Sequence, residues 1–216
     1  MTKSLIIFDL DGTLIDSVPD LADGVDKMLA HFDKSPAGTD NVRTWVGNGS
    51  VKLVERALVW AELSLDNLHH AHEIFLKEYA TCQGKTLEYN GVTDGLNRLI
   101  TQGFTLALCT NKPAQFLPDI LNNMGWTDKF ACVIGGDSLA VKKPNPEPLL
   151  HIFQTLGIDK SQAVMVGDSK NDILAGQNAG ITTLALTYGY NYGEPIADSR
   201  PDGVFDEFGD LVTSLL

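Results

Sequence analysis

The feature that most constrains this chain is the run Leu5-Ile6-Ile7-Phe8-Asp9-Leu10-Asp11-Gly12-Thr13. Four apolar residues in a row, with no polar alternation, predict a short strand buried on both faces, the kind found in a parallel sheet. Two carboxylates follow at a spacing of two. If the extended backbone lasts that far, both side chains point the same way, and Gly12 then permits a sharp turn. Two like charges about 4 Å apart repel by about 4 kcal/mol at a surface-like dielectric. A fold that forces this meeting must hold a cation there or keep one acid protonated. The alternative is a polar turn that does no more than cap the strand.

Downstream, Ser17-Val18-Pro19-Asp20 gives a helix-start signal with Ser17 as N-cap. Leu21, Val25, Met28, Leu29 and Phe32 continue it as one apolar stripe. Residues 35–39 break the pattern. Val51, Val54, Leu58 and Ala61, then Leu68, His72, Phe75, Leu76 and Tyr79, predict two further helices. Residues 17–84 therefore read as all-helical. From Asn90-Gly91 onward, apolar strands alternate with helical stripes: strands at 104–109, 130–134, 163–166, 183–186 and near 203, and helices between them, several closed by glycine. This alternation predicts a doubly wound parallel α/β sheet. The core then comprises residues 1–16 and 85–216, and residues 17–84 form an inserted helical cap. Open α/β sheets bind ligands at the carboxyl ends of their strands, so an insertion beside the Asp pair is placed to serve as a lid.

Three more strand ends carry polar residues. Thr110-Asn111 reads either as a helix cap before Pro113 or as a phosphate-binding hydroxyl with neighbouring N–H groups. Lys143 precedes Pro144 and reads either as a solvated loop lysine or as a placed cation. In Gly167-Asp168-Ser169-Lys170-Asn171-Asp172, Asp168 ends an apolar run as Asp9 does, while Asp172 has capping-box spacing from Ser169. His69, His70 and His72 contain no i, i+4 pair and read as a solvated helix face.

The net charge of −12 argues against a nucleic-acid partner and against an anionic membrane surface. An acidic protein that handles an anionic substrate then needs local positive charge, from a metal or a placed lysine. Met1-Thr2-Lys3-Ser4 leads to too few apolar residues for a secretory leader, and no run is long enough to span a bilayer. Cys82, Cys109 and Cys132 stand at unrelated spacings and read as reduced core residues. A cytoplasmic protein, monomeric or homodimeric, is expected.

Taken together, Phe8-Asp9-Leu10-Asp11-Gly12-Thr13, Thr110-Asn111, Lys143-Pro144 and Gly167-Asp168-Ser169-Lys170-Asn171-Asp172 resemble, in order, the four motifs of haloacid dehalogenase superfamily phosphatases with a helical cap. The resemblance spans essentially the whole chain. Arg43-Thr44-Trp45-Val46-Gly47-Asn48-Gly49, Thr110-Asn111-Lys112-Pro113 and Lys143-Pro144-Asn145-Pro146-Glu147-Pro148 are most similar to the bacterial phosphoglycolate phosphatases of that superfamily. It implies a Rossmann-like core and a small phosphorylated organic acid as substrate. It implies Asp9 as the nucleophile, forming an aspartyl-phosphate, and Asp11 as general acid and base. Thr110, Asn111 and Lys143 are implied to hold the phosphoryl group, and Asp9, Asp11 and Asp168 to hold Mg²⁺, with Asp172 behind them. In this family the residue two after the nucleophile often ligates through its backbone carbonyl. The same resemblance suggests Arg43 and Asn48, with the Gly47 and Gly49 backbone, as readers of the substrate's far end; a plain glycine turn is the other reading. Within the fold, a phosphatase for sugar phosphates, nucleotides or pyrophosphate, or a phosphomutase, is the alternative. Outside it, an aspartate-phosphorylated signalling module is the competing class, against which the helical insertion and Asp11 argue.

Overall fold

The computed structural model describes residues 3–82 and 84–216. Met1 and Thr2, which open the N-terminal reading, and Gln83, inside the predicted helical insertion, lie outside the described residues. The chain begins with β1 (Leu5–Phe8), β2 (Ile15–Asp16), α1 (Val18–Ala30), α2 (Gly38–Arg43), α3 (Ser50–Trp60) and α4 (Leu68–Tyr79). It continues with β3 (Leu87–Glu88), α5 (Val92–Thr101), β4 (Thr105–Cys109), α6 (Leu117–Asn123), β5 (Cys132–Ile134) and α7 (Glu147–Leu156). It closes with β6 (Ala163–Gly167), α8 (Lys170–Ala179), β7 (Thr182–Leu186), β8 (Gly203–Phe205) and α9 (Phe208–Leu215).

Six strands form one parallel sheet in the order β5-β4-β1-β6-β7-β8. β1 lies between β4 and β6, and all four of its residues are fully buried, as its unbroken apolar run predicts. The period of two divides them. Ile6 and Phe8 face a core shared with α5, α6 and α9, whereas Leu5 and Ile7 face a second core shared with α7 and α8. The order reverses at β1, because β4 and β5 extend to one side and β6 to the other. This switch point opens a crevice at the carboxyl ends of β1, β4 and β6.

The described residues of the predicted insertion, 17–84, carry α1 to α4 joined by turns, with no strand among them, and have their own core. Leu21, Val25, Met28, Leu29, Leu58 and Phe75 all belong to it. Tyr190, from the loop after β7, joins that core from the sheet side. Three details depart from the sequence reading. β2 and β3 pair antiparallel and form a two-stranded ribbon where the chain leaves and re-enters the sheet layer. α2 forms just after the predicted break. Ser17 stands at the N-cap of α1, but its hydroxyl makes no cap bond there and donates instead to Asp11. Pro118 sits in the first turn of α6 and sets its start, as proline geometry favours. Among the described residues, no helix is long and apolar enough to cross a membrane. The three cysteines are free, with Cys82 and Cys109 buried.

Trp126 is fully buried in the core beside α5, and its indole N–H donates to Thr93 Oγ1 at 2.8 Å. Trp126→Ala is expected to lower the unfolding free energy by about 3–5 kcal/mol, seen as a lower midpoint in urea denaturation followed by circular dichroism. A loss under about 1 kcal/mol would contradict this packing.

Candidate active site

Each strand of the crevice delivers one group. Asp9 follows β1, and its backbone N–H donates to Val166 O at 2.9 Å, which fixes it to β6. The ladder then stops. Gly12 N–H returns to Ile15 O, and three successive N–H groups converge on Leu10 O, so the chain turns tightly. The extended conformation therefore does not last to Asp11. Thr110 follows β4, and Asp168 follows β6. Lys143 comes from the loop between β5 and α7, and Asp172 lies in the first turn of α8.

Lys143 is buried, and its ammonium lies 2.9 Å from Asp9 Oδ1 and 2.6 Å from Asp172 Oδ1. The solvated-loop reading of this lysine is thus excluded. Asp9, Asp168 and Asp172 bring ligand-capable oxygens within 4.8 Å of one another, the one such acidic group among the described residues. Asp168 is held by the Thr13 hydroxyl on Oδ1 at 2.7 Å and by the Tyr190 N–H on Oδ2 at 2.9 Å. Asp172 also accepts from the Ser169 N–H at 3.0 Å and from the Ser169 hydroxyl at 2.7 Å. It serves both as helix-start acid and as Lys143's partner. Gly12 has φ +92°, and a Cβ there would stand 2.2 Å from Asp168 Oδ2, so only glycine fits beneath this carboxylate.

Three buried acids share one lysine, and the electrostatics follow. Burial, then the charge of Asp172, raises the Asp9 carboxyl from its ordinary 3.8 to about 7. Burial and the same neighbour push Asp168 well up too. Asp9 Oδ1, although close to Lys143, lacks a well-aligned hydrogen-bond donor among the described residues. A deficit of positive charge and an unsatisfied buried carboxylate oxygen, in an all-oxygen donor set, fit a hard divalent cation.

Asp11 stands apart from this group. Its carboxylate accepts from the Ser17 hydroxyl and pairs with Lys112, whose ammonium is 3.0 Å from Oδ1. The expected Asp9–Asp11 conflict is thus resolved by two separate lysines. Asp11's side chain is not among the clustered oxygens, and Asp172 takes that place. Lys112 itself is buried and lies 4.9 Å from the centroid of the Tyr79 ring. Sequence reasoning quoted it only within a motif, because the Tyr79 ring beside it is distant in the sequence.

Thr110 Oγ1 accepts the Lys112 N–H at 3.2 Å, while Asn111 Nδ2 donates to Gly47 O at 2.9 Å and to Lys143 O at 3.0 Å. Neither residue caps a helix through its side chain. Asn171 also donates to Gly47 O, at 3.0 Å. The glycine-rich turn thus presses onto the strand ends: a Cβ on Gly47 would lie 2.7 Å from Tyr192 Oη, and one on Gly49 3.1 Å from Asn111 O. Arg43 and Asn48 are not brought to this point. Arg43 pairs with Asp16 at 2.9 Å beside the Tyr190 ring, and Asn48 Oδ1 accepts from Arg56. Both are committed to other partners, because the turn offers its backbone to the crevice. Asp9, Asp11, Gly49, Thr110 and Lys112 line one cavity of about 40 Å³ between the sheet and the helical layer. None of the three histidines takes part; His72 faces Ser50 Oγ at 2.8 Å.

Because Asp9 and Asp168 titrate higher folded than unfolded, the folded protein keeps protons that the unfolded chain releases between about pH 4 and 7. Without a cation, this site's contribution to stability falls as pH rises through that window. A divalent cation at 100 times its Kd adds about 2.7 kcal/mol, or about 5–10 °C in Tm for a chain of this size. Thermal melts should show this shift at pH 8 and little of it at pH 5. Equal shifts at both would contradict the acidic cluster as the binding point.

The sequence as a whole has close relatives. A family model for haloacid dehalogenase-like hydrolases matches residues 6–186. A phosphoglycolate phosphatase from Psychrobacter arcticus is 54% identical, with 100% of this chain and 97% of that protein aligned. One from Pseudomonas fluorescens is 45% identical, over 98% of this chain and 79% of the relative. The solved structure of a predicted phosphoglycolate phosphatase from Haemophilus somnus superposes with a TM-score of 0.95 at 38% identity, covering 100% of this chain and 99% of that one. The chain therefore belongs to the haloacid dehalogenase-like hydrolases.

Proposed function

We propose that this protein is a Mg²⁺-dependent phosphate monoester hydrolase whose substrate is 2-phosphoglycolate. The observation that carries the reading is the buried meeting of Asp9 with Lys143, Asp168 and Asp172 at the carboxyl ends of the central strands. Support for this substrate comes from relatives named as phosphoglycolate phosphatases that align along the whole chain.

Asp9 attacks phosphorus through a carboxylate oxygen, and the bond from phosphorus to the glycolyl oxygen breaks. Asp11 supplies the proton that the departing oxygen takes up. Water then attacks the aspartyl-phosphate, gives its proton to Asp11, and releases phosphate and free Asp9. Lys143 favours the ionised form of Asp9 and offsets phosphoryl charge, and the Thr110 hydroxyl orients a phosphoryl oxygen. Asp9, Asp168 and Asp172 would hold Mg²⁺, with Asp11 able to add only its backbone carbonyl. The ion supplies positive charge against which the transferring phosphoryl group is stabilised. Residues 17–84 act as a cap over the core of 1–16 and 85–216, moving about the β2–β3 ribbon. A cavity of about 40 Å³ holds little more than one water, so substrate enters only when the cap lifts.

Phosphate release from 2-phosphoglycolate should require Mg²⁺ and stop with chelator. Asp9→Asn should lower kcat by about 10⁴-fold or more while melting no lower than the parent, since it removes a repelling charge and leaves Lys143 paired with Asp172. Activity within tenfold of the parent in this variant, or turnover after exhaustive chelation, would refute the assignment.

A further inference from the structure

Asp9, Asp11 and Lys112 are the charged residues lining the cavity, and Lys112 is the sole cation among the described lining residues. We propose that Lys112, which lines this cavity together with the N-terminus of α3, receives the carboxylate of an acidic phosphate ester and thereby selects anionic over neutral esters. This rests on the phosphatase reading above and names the residue that sets its substrate class.

Four observations converge. Lys112 is buried yet has one carboxylate partner, Asp11, at 3.0 and 3.4 Å. An ammonium has three donors; Asp11 takes one and the Tyr79 hydroxyl is a second neighbour, which leaves one for a second anion. Gly49 and Ser50 line the same cavity and open α3, an 11-residue helix with no side-chain cap and no acidic residue in its first turn. Its free N–H groups and dipole favour negative charge there. Much of the remaining wall is apolar, including Leu21, Val46, Phe75 and Phe116, which strengthens any charge pair made inside. Finally, the other candidates are occupied: Lys143 is bound to Asp9 and Asp172, and Arg43 to Asp16. An ester anchored at Asp9 thus meets one available cation at its far end. A hydroxymethyl group in place of the carboxylate would forgo that pairing.

The test compares 2-phosphoglycolate with 2-hydroxyethyl phosphate, which replaces the carboxylate by a neutral group of similar size. Steady-state kinetics with Mg²⁺ are run on the parent, Lys112→Met, Lys112→Gln and Lys142→Met. Lys142 is the control: it is half-buried, its Nζ would lie 2.7 Å from a Cβ on Gly49, and it is not among the residues lining the cavity. The parent should prefer 2-phosphoglycolate. Both Lys112 variants should lower the ratio of kcat/KM between the two esters by about 100-fold, the scale of one charge-assisted hydrogen bond, chiefly through KM. Lys142→Met should move the ratio less than about threefold. The ratio is taken within each variant, so a partial loss of folded protein cancels. Equal losses on both esters would assign Lys112 to Asp11 alone and overturn the proposal, as would a parent with no preference. A parent that hydrolyses neither ester would overturn the phosphatase reading as well.

Discussion

The structure depends on one buried ammonium. Lys143 stands between Asp9 and Asp172, and Asp168 adds a third carboxylate to the same group. Removing that ammonium would leave the buried carboxylates uncompensated, at a cost of about 3–5 kcal/mol. The fold carries this load by spreading it over rigid elements: the end of the central strand, the end of its neighbour β6, and the first turn of α8. Two of the carboxylates are also held by neighbouring donors, Thr13 and Tyr190 on Asp168 and Ser169 on Asp172. The cluster remains one cation short, and that shortage ties the architecture to the chemistry.

The second pair, Lys112 with Asp11, works by separation. Two acids at a spacing of two share the cavity without sharing a counter-ion, because the chain turns at Leu10 and Gly12 instead of continuing extended. One acid faces the metal-type cluster; the other faces Ser17 at the root of the helical layer. A nucleophile and a proton carrier need different surroundings, and the turn supplies them within three residues. The helical layer contributes as well. Tyr79 lies against Lys112, and the Gly47 carbonyl takes hydrogen bonds from Asn111 and Asn171, so docking of this layer completes the cavity.

Much of this was legible in the sequence because buried parallel strands leave an unbroken apolar signal. Leu5–Phe8, Thr105–Cys109 and Ala163–Gly167 could be read directly, and the polar residues after each could be read as strand-end groups. The β2–β3 ribbon could not, since strands of two residues carry no period. Ser17 looked like a cap because its neighbours fit one; only the three-dimensional turn turns its hydroxyl toward Asp11. Arg43 and Asn48 drew notice by lying in a glycine-rich motif, whereas packing commits them to Asp16 and Arg56 and presents the glycine backbone instead. Lys112 escaped for the opposite reason: its burial comes from Tyr79, a residue far away in sequence.

The central claim is that Asp9 receives the phosphoryl group. Rapid acid quenching during the first turnovers with 2-phosphoglycolate, followed by proteolysis and mass spectrometry, tests it most directly. A phosphate-mass adduct located on Asp9, rising and decaying with turnover, is predicted. An adduct on another side chain, or a full single turnover with no adduct at any quench time, would contradict it.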